Sequence, residues 1–256
     1  MSIERFSLDG KVAVITGGAG GCGAEYGRGL AAAGASVVLA DLDGERAEGH
    51  AQELRAEGHQ AVGVRVDITD PDAAEAMVQR ARDEFGGVDV LINNAALMKE
   101  IPMGSLLTLP LDWWDRVMEV NVKGALVCTR AAVPSMLERG GGRIINQVSG
   151  GAFTAGGVYS ISKLALVSLT ASLANELGRQ GINVNAIAPG FVADEPGYES
   201  LGKDDPRRAA ILASVPGKKE GPPDDLVGTV LLLASSAGDW INGQTISVDG
   251  GWIMRV

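Results

Sequence analysis

The sequence predicts an α/β fold, with one parallel seven-stranded sheet covered by helices on both faces. Three observations carry this. Short β-branched runs alternate with longer helical patterns along the whole chain, the mark of repeated β-α-β units. The strand runs are mainly apolar, which argues a parallel sheet covered by helices on both faces. The first run leads directly into a glycine-rich turn that opens a helix.

Val12 to Thr16 is the first strand. The turn Thr16-Gly17-Gly18-Ala19-Gly20-Gly21-Cys22-Gly23 follows, then a helix through Ala33. Ser36 to Asp41 is the second strand and Gly44 to Glu57 a charged helix. Ala61 to Val66 is the third strand. Pro71 then opens a helix ending near Phe85, with Gly86-Gly87 as its stop. Val88 to Asn93 is the fourth strand, and Trp113 to Glu138 reads as one long helix distorted near its end by Pro134. Arg143 to Val148 is the fifth strand, followed by a helix from Val158 to Gly178. Ile182 to Ala188 is the sixth strand, Asp224 to Ala234 a helix, and Gln244 to Val248 the last strand.

No linker or low-complexity segment interrupts this pattern, so residues 1–256 read as a single doubly wound domain. It divides near residue 150 into a first half, about 1–150, and a second, about 151–256. The stretch 191–223 is rich in Gly, Pro and charge and too long for an ordinary loop. It follows a strand's C-terminal end, where such sheets bind ligands, and reads as a candidate lid.

Composition excludes several functions. The formal net charge of −10 disfavours nucleic acid and anionic membranes as partners. The two cysteines, Cys22 and Cys128, make no disulfide framework, which suits a reducing cytoplasm. No signal peptide is evident after Met1, and no apolar stretch is long enough to span a bilayer. His50 and His59 lie in a charged, helical surface stretch, and without a Cys/His cluster no metal site is expected.

Tyr159 and Lys163 stand four residues apart and so share one helix face. An ammonium near a phenol favours the phenolate, which suits a group that exchanges a proton with an alcohol oxygen. The glycine turn, between strand and helix, suits a nucleotide diphosphate. Proton transfer beside a bound dinucleotide points to hydride chemistry between alcohol and carbonyl. Asp41 ends the second strand at the distance expected of a ribose-reading acid. It equally suits a helix cap, a role Asp43 could fill as well. No Arg or Lys lies in the turn or directly after Asp41, the nearest being Arg46. This predicts NAD over NADP. Cys22 reads as a small apolar filler.

Assembled, these residues resemble the classical short-chain dehydrogenase/reductase family over nearly the whole chain, which implies a Rossmann-type fold. Thr16-Gly17-x-x-x-Gly21-x-Gly23 is similar to that family's cofactor turn, and Asp67-Ile68 to its adenine contact. Asn93-Asn94-Ala95-Ala96 is similar to its Asn-Asn-Ala-Gly segment, and Asn121-Val122-Lys123-Gly124 to the segment of its catalytic asparagine. Ser149 matches the catalytic serine, Tyr159-x-x-x-Lys163 the signature, and Pro189-Gly190 and Asp249-Gly250-Gly251 also fit. The cofactor contacts so implied are Gly17, Gly21, Cys22, Gly23, Asp41 and Leu42 on the first half. Asp67, Ile68, Asn94, Ala95 and Ala96 extend them, and Tyr159, Lys163, Pro189, Gly190 and Val192 complete them.

The resemblance implies a tetrad. Tyr159 is its general acid/base, Lys163 lowers the tyrosine pKa and holds the nicotinamide ribose, Ser149 orients the substrate oxygen, and Asn121 fixes a water beside Lys163. It also implies a homotetramer. Two departures stand out. The Ser149–Tyr159 segment is short, and Asp194 replaces a Thr that usually bonds the nicotinamide end. The expected pocket wall of Leu97, Met98, Ile101, Met103, Phe153, Phe191 and Tyr198 is apolar, which favours a hydrophobic secondary alcohol or ketone as substrate. Lys99, Lys203, Arg207 and Arg208 read as solvated charges. If they instead met carrier phosphates, the chain would be a 3-oxoacyl-thioester reductase. A nucleotide-binding protein without turnover is the remaining alternative.

Overall fold

The computed structural model describes residues 3–102, 104–193, 205–217 and 220–254. Met103, Asp194, Tyr198 and Lys203, and the expectations attached to them, lie outside that set, as does part of the proposed lid.

Seven strands form one sheet in the order β3-β2-β1-β4-β5-β6-β7, every neighbouring pair parallel. They are β1 (Val12–Thr16), β2 (Ser36–Asp41), β3 (Ala61–Arg65), β4 (Val90–Asn93), β5 (Gly142–Gln147), β6 (Ile182–Pro189) and β7 (Thr245–Val248). All of β1 and β4 is buried, as their unbroken apolar runs require. The helices are α1 (Gly21–Ala32), α2 (Gly44–Ala56), α3 (Pro71–Phe85), α4 (Leu111–Met118), α5 (Gly124–Glu138), α6 (Val158–Leu177), α7 (Pro206–Ser214) and α8 (Val227–Ala234).

Two apolar layers sandwich the sheet. On one face Tyr26 and Leu30 of α1 and Val230 and Leu233 of α8 pack on Ile15, Leu39, Ile145 and Ile187. On the other, Met77 of α3 and Cys128, Ala132 and Met136 of α5 pack on Val14, Val38, Leu91 and Ile144. Burial of the Cys128 thiol pushes its pKa up to about 12, so it stays a neutral apolar filler. The chain order reverses between β1 and β4, which opens a crevice at the carboxyl ends of these strands. Among the described residues no helix is long and apolar enough to cross a membrane.

The sheet and four of the six expected helices agree with the sequence reading within a few residues. The long helix expected over Trp113–Glu138 is corrected in one respect. It starts at Leu111 and is broken by a π-helical turn, Glu119–Lys123, between α4 and α5. Such a turn admits one extra residue and recurs at functional positions. Pro134 sits inside α5 without ending it. The helix expected over Asp224–Ala234 is a 3-10 turn, Pro223–Leu226, followed by α8. The segment read as lid contains a helix of its own, α7, and a bridge pairing Val192 with Gly221.

Candidate active site

The glycine turn is built by steric demand. Gly17 has φ +71°, and a Cβ on Gly23 would stand 2.0 Å from the Gly17 carbonyl oxygen. Asn94 holds the turn from behind, its Nδ2 donating to the carbonyls of Thr16 (2.9 Å) and Gly17 (3.1 Å). The Thr16 hydroxyl in turn accepts from the backbone N–H groups of Asn94 and Ala95. Helix α1 starts at this turn with no side-chain cap and no acidic residue in its first turn. Its leading N–H groups therefore face the crevice with positive partial charge, and an anion fits there. This is the observation that fits the turn to a dinucleotide's diphosphate.

Asp41 does more than the sequence suggested. Its Oδ2 accepts from the Ala19 N–H (3.1 Å) and its Oδ1 from the Asp43 N–H (3.0 Å), so it ties the glycine turn to β2. The cap of α2 is Asp43, which accepts from the Arg46 N–H at 3.1 Å. Arg46 itself reaches back over the turn. A Cβ on Gly20 would lie 3.0 Å from its Nη2, and among the described residues it forms no ion pair.

The crevice continues on both sides of Gly17. One arm has Leu42, Val66, Ile68 and Val120 on its apolar side and Asp67, Asp112, Asp115, Arg116 and Glu119 on its polar side, a lining that suits an adenosine. Hydrogen bonds from the Thr69 backbone N–H and hydroxyl hold Asp67 below the usual carboxylate range, so it accepts at neutral pH. The other arm runs past Gly21, Cys22, Ala95 and Ala96 to Tyr159 and Lys163. Cys22 is buried in its floor.

Tyr159 and Lys163 lie on α6 as expected. Lys163 is only 2% exposed, its Nζ donates to the Gln147 carbonyl at 2.8 Å, and it stands 5.7 Å from the Tyr159 ring centre. Asn121 sits in the π turn, which aims its amide at the Leu97 backbone. Oδ1 accepts from the Leu97 N–H at 2.7 Å, and Nδ2 donates to the Leu97 carbonyl and to Ser162, the neighbour of Lys163. Ser149 caps a 3-10 turn, Gly150–Phe153, that packs on α6. Its Oγ accepts from the Gly151 N–H at 3.0 Å, which leaves the hydroxyl proton to donate elsewhere. Pro189 and Gly190 close β6. Gly190 approaches Asp249 closely enough that a Cβ would meet it at 2.6 Å, and Val192 is buried in the core below.

Beside Tyr159 a smaller cavity of about 310 Å³ is lined by Met98, Ile101, Pro102, Leu106, Leu109 and Val158. The expected substrate wall is thus partly corrected. Met98 and Ile101 take part, but Leu97 faces the adenine arm because its backbone is held by Asn121. Phe153 packs against the core, and Phe191 meets Trp252 with ring centres 4.4 Å apart and planes tilted by 51°, a contact invisible in sequence because the two are far apart in the chain. Arg208 is corrected too. It is a forked partner of Glu220 with both side chains mostly covered, not a solvated charge.

A family model described as enoyl-(acyl carrier protein) reductase matches residues 17–253. A short-chain type dehydrogenase/reductase from Mycobacterium marinum superposes with a TM-score of 0.90 at 31% identity, covering 99% of each chain. The chain belongs to the classical short-chain dehydrogenase/reductase family. An uncharacterized oxidoreductase of Mycobacterium tuberculosis is 43% identical to this short-chain dehydrogenase/reductase over 97% of its length and 99% of the relative's. The 2-dehydro-3-deoxy-D-gluconate 5-dehydrogenase of Escherichia coli is 39% identical over the full length of both. A gluconate 5-dehydrogenase from Burkholderia cenocepacia, solved with NADP and tartrate, has a TM-score of 0.90 and 34% identity over 99% of each chain. The short-chain dehydrogenase/reductase described here is therefore an oxidoreductase by kinship.

Proposed function

We propose that the protein interconverts an apolar secondary alcohol and its ketone with a nicotinamide dinucleotide as hydride carrier. The observation that carries this reading is one continuous crevice. It begins at the uncapped N-terminus of α1 and ends at Tyr159 and the buried Lys163. When bound, the dinucleotide supplies the hydride acceptor or donor, and the protein supplies position and charge. Tyr159 takes the alcohol proton, or returns it to the ketone oxygen, through its phenol oxygen. The Lys163 ammonium, fixed on the Gln147 carbonyl, favours the phenolate form. Ser149 donates its free proton to the substrate oxygen. Asn121, through Ser162 and Leu97, holds the helix turn that faces Lys163 and can order a water there.

Asp41 supports NAD, since its carboxylate faces the ribose end of the adenine arm and would repel a 2′-phosphate. Arg46 opposes it by placing beside the same turn a guanidinium that forms no ion pair among the described residues. Together they leave a preference of about tenfold for NAD, or 1.4 kcal/mol. NADP is accepted, in keeping with the solved relative that carries it. Assembly as a homotetramer through the long helices after β4 and β5 is part of the reading, and light scattering checks it.

The apolar cavity beside Tyr159 supports a hydrophobic substrate. A second reading, a polyol or sugar acid, is favoured by the gluconate dehydrogenase relatives. The carrier-bound acyl reading loses one of its cations, because Arg208 is held by Glu220. The deciding experiment follows NAD and NADP reduction at 340 nm over a panel of aliphatic and aromatic secondary alcohols, polyols and sugar acids. Turnover confined to polyols or sugar acids would overturn the apolar assignment. No turnover or dinucleotide binding at all would overturn the oxidoreductase reading.

A further inference from the structure

Gln147 ends β5 and links the two halves of the site. Its side chain points to the α1 face, where it pairs in register with Ile187 and follows Ile145, both wholly buried apolar residues. An amide there needs polar partners, because an unmet polar group beside apolar surface is costly. One partner is Tyr26, 0% exposed on α1, whose hydroxyl donates to Gln147 Oε1. An amide's oxygen and nitrogen diverge by about 120° from one planar carbon, so pinning Oε1 on Tyr26 fixes the plane and turns Nε2 to a different side. Among the described residues Nε2 has no hydrogen-bond partner, although Gln147 lines the arm that runs from Gly21 and Cys22 to Tyr159. The backbone carbonyl of the same residue holds Lys163. One residue is thus anchored to the helix of the glycine turn through its side chain and to the catalytic helix through its main chain.

We infer that Gln147 is a cofactor-binding residue whose Nε2 donates to an acceptor oxygen of the dinucleotide between its adenosine and its nicotinamide. Tyr26 is the positioning residue that aims it. The inference rests on the oxidoreductase reading above. The acceptor is an oxygen of the nicotinamide-side phosphate or ribose, which NAD and ADP-ribose carry and AMP lacks, since the arm runs on from the diphosphate-binding turn to Tyr159.

The test measures dissociation constants of NAD, ADP-ribose and AMP by fluorescence or calorimetric titration, with melting temperatures recorded alongside. Gln147→Leu removes the donor and keeps the apolar bulk. It should weaken NAD and ADP-ribose by about threefold to thirtyfold, the range of one hydrogen bond to a neutral or charged oxygen, and leave AMP unchanged. Tyr26→Phe should weaken NAD by a smaller factor, about twofold to fivefold, by releasing the amide. In the Gln147→Leu background it should add nothing to the loss, a non-additivity that a purely structural pair does not produce in ligand binding. Variants that melt lower yet bind NAD as the wild type does would overturn the inference and leave the pair structural. Equal losses for AMP and NAD would overturn it too. A wild type that binds no dinucleotide would instead overturn the oxidoreductase reading on which it rests.

Discussion

Arg46→Ala isolates the cofactor preference, because Arg46 caps nothing with its side chain and forms no ion pair among the described residues. Its guanidinium lies over Gly20 at the mouth of the turn and lines the same arm as Asp41, the acid expected to read the ribose. A 2′-phosphate carries about −1.5 to −2 charges at neutral pH. At about 5 Å in water-like dielectric its attraction to a guanidinium is worth about 1–2 kcal/mol. Arg46→Ala should therefore weaken NADP about fivefold to thirtyfold in low salt, and NAD by less than about twofold. At physiological salt screening should roughly halve the energy. Titration of both oxidised cofactors at two ionic strengths reads this directly. Equal losses for NAD and NADP, or a loss for NADP that ignores salt, would refute the reasoning.

Asp41→Asn should narrow the gap between NAD and NADP while weakening both, because one of the two N–H groups on its carboxylate then meets an amide NH₂. The same titration checks it. Tyr159→Phe should keep the fold and the NAD affinity and lower turnover by about 10²–10⁴-fold; a rate within a few-fold of wild type would remove Tyr159 from its role. Gly23→Ala places a Cβ 2.0 Å from the Gly17 carbonyl, so the turn must shift at a cost of about 1–3 kcal/mol and both dinucleotides should bind more weakly in calorimetry. Asp89, 5% exposed, is pushed up by burial but held lower overall by Arg139, the Val12 N–H and Lys11. Its folded pKa lies below the unfolded value of about 3.9, so its contribution is complete above about pH 4 and is lost as pH falls through the folded value. Asp89→Asn should lower stability by about 3 kcal/mol at pH 7 and flatten the acid limb of melting temperature against pH.

The first, second and fourth strands were legible as nearly unbroken apolar runs, and the others, interrupted by Arg143, Asn146, Asn183 or Asn185, by their place in the alternation of strand and helix. The glycine turn and the Tyr159–Lys163 pair were legible because their chemistry depends on short spacings. The π turn was not, since Glu119-Val120-Asn121-Val122-Lys123 reads as ordinary helix. What bends it is Asn121 bonding to Leu97, a partner 24 positions away. The Tyr26–Gln147 contact joins residues 121 positions apart, and Gln147 read simply as strand. Leu97 was misassigned for the same reason, because which side of a loop faces which arm is set by a distant amide. Helix α7 is short and flanked by Gly and Pro, so its local pattern looked like loop.

The π turn also has a genetic consequence. It stores one surplus residue between α4 and α5, and successive residues in a helix are rotated by about 100°. Deleting Val120 would let the helix run continuously, a change that local propensity favours. It would also swing α4 by that angle relative to α5, pulling the adenine-arm residue Arg116 and the Trp113–Arg116 contact out of phase with Asn121. Single-codon deletions and insertions over 119–123 should therefore be selected against together, whereas compensating pairs that restore the count should be viable. The reading frame of the helix, rather than the identity of most of its residues, is what this stretch of the gene must preserve.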